Sequence, residues 1–120
     1  MNTMHNTSPE DNATTVININ ELIANIKQEQ LLKENSKNST TIFKSEGMRI
    51  VLIALGNGTE LKTHSAAGVI SVHVLEGKIQ FSTAQQSIAL ETGQILALQK
   101  GVPHSVIANM ETIFLLTLAV

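Results

Sequence analysis

Apolar positions along the chain follow two different periods, and the change between them divides the protein. Between residues 20 and 33, Leu22, Ile23 and Ile26 recur at helical spacing, with Asn20 placed to cap the helix and Glu21 in its first turn. From residue 40 onward apolar residues fall on every second position or in short runs, the mark of strands that bury one face or both. The pattern predicts strands over 40–44, 48–55, 68–75, 78–82, 87–90, 95–98, 104–108 and 112–119. Turn signals separate them: Ser45-Glu46-Gly47, Gly56-Asn57-Gly58, Glu76-Gly77, Thr92-Gly93 and Lys100-Gly101-Val102-Pro103. Short strands joined by tight turns, with no helix between them, imply an antiparallel barrel or a two-sheet sandwich, because a parallel sheet needs long crossovers.

The polar stretch ahead of the helix, rich in Asn, Thr and Ser, cannot bury enough apolar area to offset its ordering entropy. The expected organisation is therefore a flexible arm over 1–18, a helix and connector over 19–38, and one barrel over 39–120. The run Ile113-Phe114-Leu115-Leu116-Thr117-Leu118-Ala119-Val120 is apolar on both faces, which predicts a strand covered on both sides, either central in a sandwich or in a dimer interface. The helix stripe is expected to pack on the barrel or on a second subunit.

Composition narrows the function. A chain of 120 residues suits one domain with one core. Net charge is -2, and no run of Lys or Arg forms a stripe able to neutralise several phosphates, so nucleic acid is not an expected partner. Only Phe43, Phe81 and Phe114 are aromatic, too few for a base-stacking surface. There is no cysteine, which removes disulfides, thiolate metal sites and cysteine nucleophiles. The first residues lack a basic and then apolar signal pattern, and no apolar run is long enough for a bilayer, so the expectation is a cytoplasmic protein with no membrane partner.

Against this background His64 and His104 are the chemistry-bearing residues. Each sits beside a glycine-containing turn, and strand closure would bring both to one mouth, offering hydrogen bonds or proton transfer. The bland alternative is that each simply bonds a backbone carbonyl in its turn. Alternation places Ile70, Val72 and Val74 on one face as an aliphatic wall, and the form expected of a small-molecule site is an apolar pocket with a few polar groups. His73 falls out of phase, on the opposite face with Ser71 and Leu75; His5 lies in the arm. Glu60 and Lys62 stand near the mouth, and Gln80, Gln94 and Gln99 are further polar candidates. Glycines 47, 56, 58, 77, 93 and 101 are expected in turns at positive φ, and no helix start follows Gly56-Asn57-Gly58 to make it a phosphate loop.

Two motifs carry a resemblance. Gly58 is followed after five residues by His64, with Gly77 at the end of Val74-Leu75-Glu76-Gly77; later come Gly93, Gly101, Pro103 and His104. Their spacing resembles the paired motifs of the cupin superfamily, G-x5-H-x-H-x3,4-E-x6-G and G-x5-P-x-G-x2-H-x3-N, and in particular its small single-domain, RmlC-like members. The resemblance implies an all-β double-stranded β-helix, the cupin or jelly-roll barrel, with a short N-terminal helix, and a homodimer. It also implies a site for a divalent transition metal such as zinc, iron, manganese or nickel, held by three His and a Glu. Here the second His is replaced by Ala66 and the Glu by Ile70 (Ser71 in the longer spacing). Gln99 stands for the Pro of the second motif and Ala108 for its Asn, with Asn109 one residue late. Two ligands of the set are left, and a transition metal takes about four to six donors.

Three readings follow. The first is a cupin that binds a small organic molecule at His64, His104, Ile70 and Val72 without a full metal-ligand set. The second is a metal-dependent enzyme, of dioxygenase or isomerase type, using His64 and His104. The third is a regulatory or partner-binding subunit, resting on the arm and the helix.

Overall fold

The computed structural model describes residues 13–31 and 36–119. The arm residues up to 12, His5 among them, the end of the predicted helix near Lys33, and Val120 lie outside the described residues.

One helix, α1 (Ile19–Leu31), precedes nine strands: β1 (Lys37–Lys44), β2 (Met48–Leu55), β3 (Glu60–His64), β4 (Ile70–Glu76), β5 (Lys78–Ser82), β6 (Ser87–Glu91), β7 (Ile95–Leu98), β8 (His104–Ala108) and β9 (Thr112–Ala119). They form a five-stranded sheet, β1-β2-β9-β4-β7, and a four-stranded sheet, β3-β8-β5-β6, every pair antiparallel. The predicted strands are all present. β1 starts three residues earlier than the alternation suggested, β4 two residues later, and β3 is additional.

The helix start differs from the expectation. The N–H of Glu21 donates to Asn18 Oδ1 at 3.2 Å, so Asn18, not Asn20, is the cap. The reason is reach: a capping oxygen satisfies a donor two or three residues on, and Asn20 already lies inside the helix.

Between the sheets lies the main core. Leu55, Ile70, Val72, Val74, Ile79, Phe81, Leu90, Val106, Ala108 and Phe114 are buried there. A second cluster sits on the outer side of the five-stranded sheet, where Ile26, with Leu22 and Ile23 beside it, packs on Leu52, Ala54 and Ile113. β9 is thus central in its sheet, with Phe114 facing the inner core and Ile113 and Leu115 covered by the helix. Its two apolar faces, and the apolar stripe of α1, are accounted for within one chain. Lys27 Nζ and Glu76 Oε1 meet at 2.7 Å across the helix edge, an exposed pair that adds little.

Gly58, Gly77, Gly93 and Gly101 adopt positive φ, whereas Gly47 and Gly56 do not; in the Gly56-Asn57-Gly58 turn the left-handed residue is Gly58. Thr59, in the turn before β3, holds its Oγ1 buried without a hydrogen-bond partner among the described residues, while its backbone N–H and carbonyl bond Gly56 O and Ala108 N. A buried hydroxyl that bonds nothing costs about 1–3 kcal/mol. The near-isosteric Thr59→Val, which keeps both backbone bonds, is expected to raise the unfolding midpoint by about 3–5 °C in thermal denaturation.

Candidate functional site

His64 ends β3 and His104 begins β8, and the two Cα atoms are direct partners across the ladder. They are brought onto the same face by a β-bulge. Leu61 pairs with Val106 and His64 with His104, so three residues of β3 span two of β8. Leu61 packs against the inner core. Strict alternation from it would send position 64 to the outside, and the extra residue returns it to the inner side.

The imidazole centroids lie 4.4 Å apart with planes tilted by 59°. On the far side of His104, Phe81 stacks at 5.2 Å and 11°. His104 is buried, only 4% exposed, while His64 is exposed. Each ring is held by a carbonyl two residues back: His64 Nδ1 to Lys62 O at 2.8 Å, His104 Nδ1 to Val102 O at 2.9 Å. A carbonyl oxygen only accepts, so each Nδ1 carries the hydrogen. In the neutral rings both Nε2 atoms therefore keep a lone pair. The bland expectation, a backbone-bonded histidine in a turn, is met by both residues, and the same bonds fix the tautomers that leave the opposite nitrogens free to accept.

The surrounding positions divide clearly. Ile70 and Val72 are buried in the inner core with Val74, as alternation indicated. Ala66 packs against the same core, and its carbonyl accepts the Gly101 N–H at 3.0 Å, tying the loop after His64 to the loop before His104. His73 is half-buried on the other face of β4, opposite Ile95 and Leu115. Glu60 stands at the far end of β3, and Lys62 supplies the carbonyl that holds His64.

Of the glutamines, Gln80 and Gln94 are not at the site. Gln80 Nε2 donates to Ser87 Oγ at 2.7 Å on the outer side of the four-stranded sheet, because its neighbours Ile79 and Phe81 take the inner positions. Gln94 Oε1 accepts the Glu91 N–H at 2.7 Å in the β6–β7 turn. Gln99 is exposed in the loop before β8. A hollow of about 170 Å³ is lined by Lys37, Asn38, Ser39, Ile53 and Leu61, between β1–β2 and β3. A larger one, about 430 Å³, lies at the opposite end of the barrel from the histidines, between α1 and the β4–β5 and β8–β9 turns.

As a metal centre, the donor set is short. Among the described residues no third His, Cys, Asp or Glu joins the two imidazoles. A divalent transition metal would draw two nitrogens from the protein, fewer than a closed shell needs, so a resident ion is a poor fit to these residues.

No family model matches the sequence. No curated protein matches it significantly. Solved structures do. A cupin superfamily protein from Desulfitobacterium hafniense superposes with TM-score 0.71 at 18% identity, covering 73% of this chain and 81% of its own. A cupin-2 domain protein from Shewanella frigidimarina gives 0.68 at 23% identity, with 88% and 95% covered. An RmlC-like cupin from Desulfovibrio desulfuricans gives 0.64 at 29%, with 69% and 81% covered. The fold is the cupin barrel. In its size and single barrel the chain resembles these small cupins, the RmlC-like one among them. Among the described residues no helix is long and apolar enough to cross a membrane.

Proposed function

We propose that this cupin binds a small organic molecule at the mouth formed by His64 and His104, above an aliphatic floor that includes Ile70 and Val72. The observation that carries this reading is the paired geometry: two imidazoles with centroids 4.4 Å apart, each with Nδ1 bonded to a carbonyl, which leaves the accepting lone pair of each neutral ring on Nε2. Such a pair takes hydrogen bonds from O–H or N–H donors of the ligand, while the apolar positions beneath favour its hydrocarbon part. The homodimer implied by the likeness belongs to the same reading, and sedimentation equilibrium separates it from a 12.9 kDa monomer.

Hexanamide, a neutral donor with an aliphatic tail, is a suitable probe. In long-range proton–nitrogen NMR spectra it is expected to move the Nε2 resonances of both histidines, and His64→Ala, at an exposed position, is expected to weaken its binding at least tenfold with the unfolding midpoint unchanged. A titration that leaves both rings unmoved overturns the proposal.

Metal-dependent catalysis is the second reading, and one observation favours it. A ring whose Nδ1–H is tied to a backbone carbonyl is oriented as metal-bound histidines usually are. A stoichiometric transition metal retained by protein purified without chelators, and lost in His64→Ala, would select this reading over the first.

A further inference from the structure

We infer that the molecule bound at the histidine mouth is an organic anion and that Arg49 receives its negative group. This rests on the proposed binding role of His64 and His104 and specifies the ligand class.

Arg49 is the sole arginine of the chain. In β2 the odd positions Ile53 and Leu55 belong to the inner core, while Leu52 and Ala54 pack under the helix. The β2–β9 register is unbroken, so Arg49 lies on the inner side with them. Its Cα partner in β9 is Leu118, Leu118 pairs with Ile70, and Ile70 pairs with Leu98, so one transverse row crosses the sheet from Arg49 to β7.

That row is at the histidine end of the barrel. Ile70 follows His64 through the loop 65–69, Leu98 leads into His104 through 99–103, and the Gly101–Ala66 bond joins the two loops. The strands also face one another: Ile53 of β2 and Leu61 of β3 line the same 170 Å³ hollow, and Arg49 and His64 are displaced from them in the same direction. Facing sheets stand about 10 Å apart, a gap that an extended arginine largely spans.

Charge supports the same assignment. Among the described residues of the strands and turns at this end, Lys44, Arg49, Lys62 and Lys100 face a single carboxylate, Glu46. At the other end the strands and turns carry four carboxylates, Glu60, Glu76, Glu91 and Glu111, against Lys37 and Lys78. The sole ion pair among the described residues joins Lys27 to Glu76, also at that other end, so none of the described carboxylates pairs with Arg49. A guanidinium without a partner among the described residues, on the inner side of an electropositive mouth, suits a planar two-oxygen group taken in a forked bond. The ligand class is a small carboxylate, with its apolar part over Ile70 and its donor groups on the histidines.

The test compares hexanoate with hexanamide on the whole chain, following the same histidine resonances. Hexanoate is expected to bind at least tenfold more tightly. Arg49→Gln should reduce hexanoate to the level of hexanamide and leave hexanamide unchanged, and Arg49→Lys should restore part of the difference. Arg49 is exposed, so these variants should unfold at the wild-type midpoint. Equal affinity for the two probes, or hexanoate binding indifferent to Arg49→Gln, overturns the anion assignment while leaving the binding site standing. Failure of both probes to move either ring overturns the site and the assignment together.

Discussion

Phe81→Ala is expected to lower the unfolding free energy by about 3–5 kcal/mol, which in urea shifts the midpoint by about 2 M. Phe81 is 1% exposed, lies inward on β5, and pairs with Val106 on one side and Ile88 on the other, so nothing near it is free to collapse into the space its ring leaves. Domains of this size are stable by only about 5–15 kcal/mol, and this one substitution removes a large share. It also reaches the site, because the same ring stacks on His104 at 5.2 Å. Phe81→Leu separates the two effects. A smaller change in shape should cost under about 1.5 kcal/mol, yet it removes the flat surface against which the His104 imidazole rests. If the stack orients that imidazole, the Leu variant will remain folded while its His104 nitrogen resonances shift and hexanamide binds more weakly. A Phe81→Leu protein whose His104 signals coincide with wild type would mean that the Val102 carbonyl alone holds the ring.

The double dependence of His104 explains what the sequence discloses and what it hides. Alternation alone identifies Ile70, Val72 and Val74 as an inward wall, and the turn glycines separate most of the strands, because those signals are local. β3 escapes the same reasoning since Glu-Leu-Lys-Thr-His contains one apolar residue, Leu61, and the other four positions are exposed. With β3 unseen, its bulge is unseen too, and period-two counting from Leu61 would have turned His64 away from His104. Motif spacing put the two histidines together where alternation could not. Arg49 is the opposite case: its inward parity is legible from Ile53 and Leu55, but its significance depends on which end of the barrel it occupies. That is settled by a register linking residues 49, 118, 70 and 98, a long-range fact absent from any single segment.

Gly77→Ala is the second large effect, and its cause is unlike that of Phe81. Gly77 alone separates β4 of one sheet from β5 of the other, so the chain crosses the barrel edge in a single residue. That crossing holds φ at 107°, a region open to glycine and strained for any other residue. It also presses the backbone against the β8–β9 turn. An added Cβ would overlap Glu111 O and Thr112 Oγ1 and come within 2.7 Å of Thr112 Cα. Thr112 has no freedom to retreat, since its hydroxyl accepts the Lys78 N–H at 3.1 Å and lies within bonding distance of the Lys78 and Met110 carbonyls. Gly93 supplies the control: its φ is 88° but nothing lies within 4 Å of an added Cβ. Gly93→Ala should therefore cost only the conformational penalty, about 1–2 kcal/mol. Gly77→Ala should add backbone displacement to that penalty and lose at least about 3 kcal/mol in urea unfolding. Equal losses in the two variants would show that φ alone matters and that the approach to Thr112 is relieved at no cost. A markedly larger loss at Gly77 assigns the difference to the contact between the two turns, at the end of the barrel remote from the histidines.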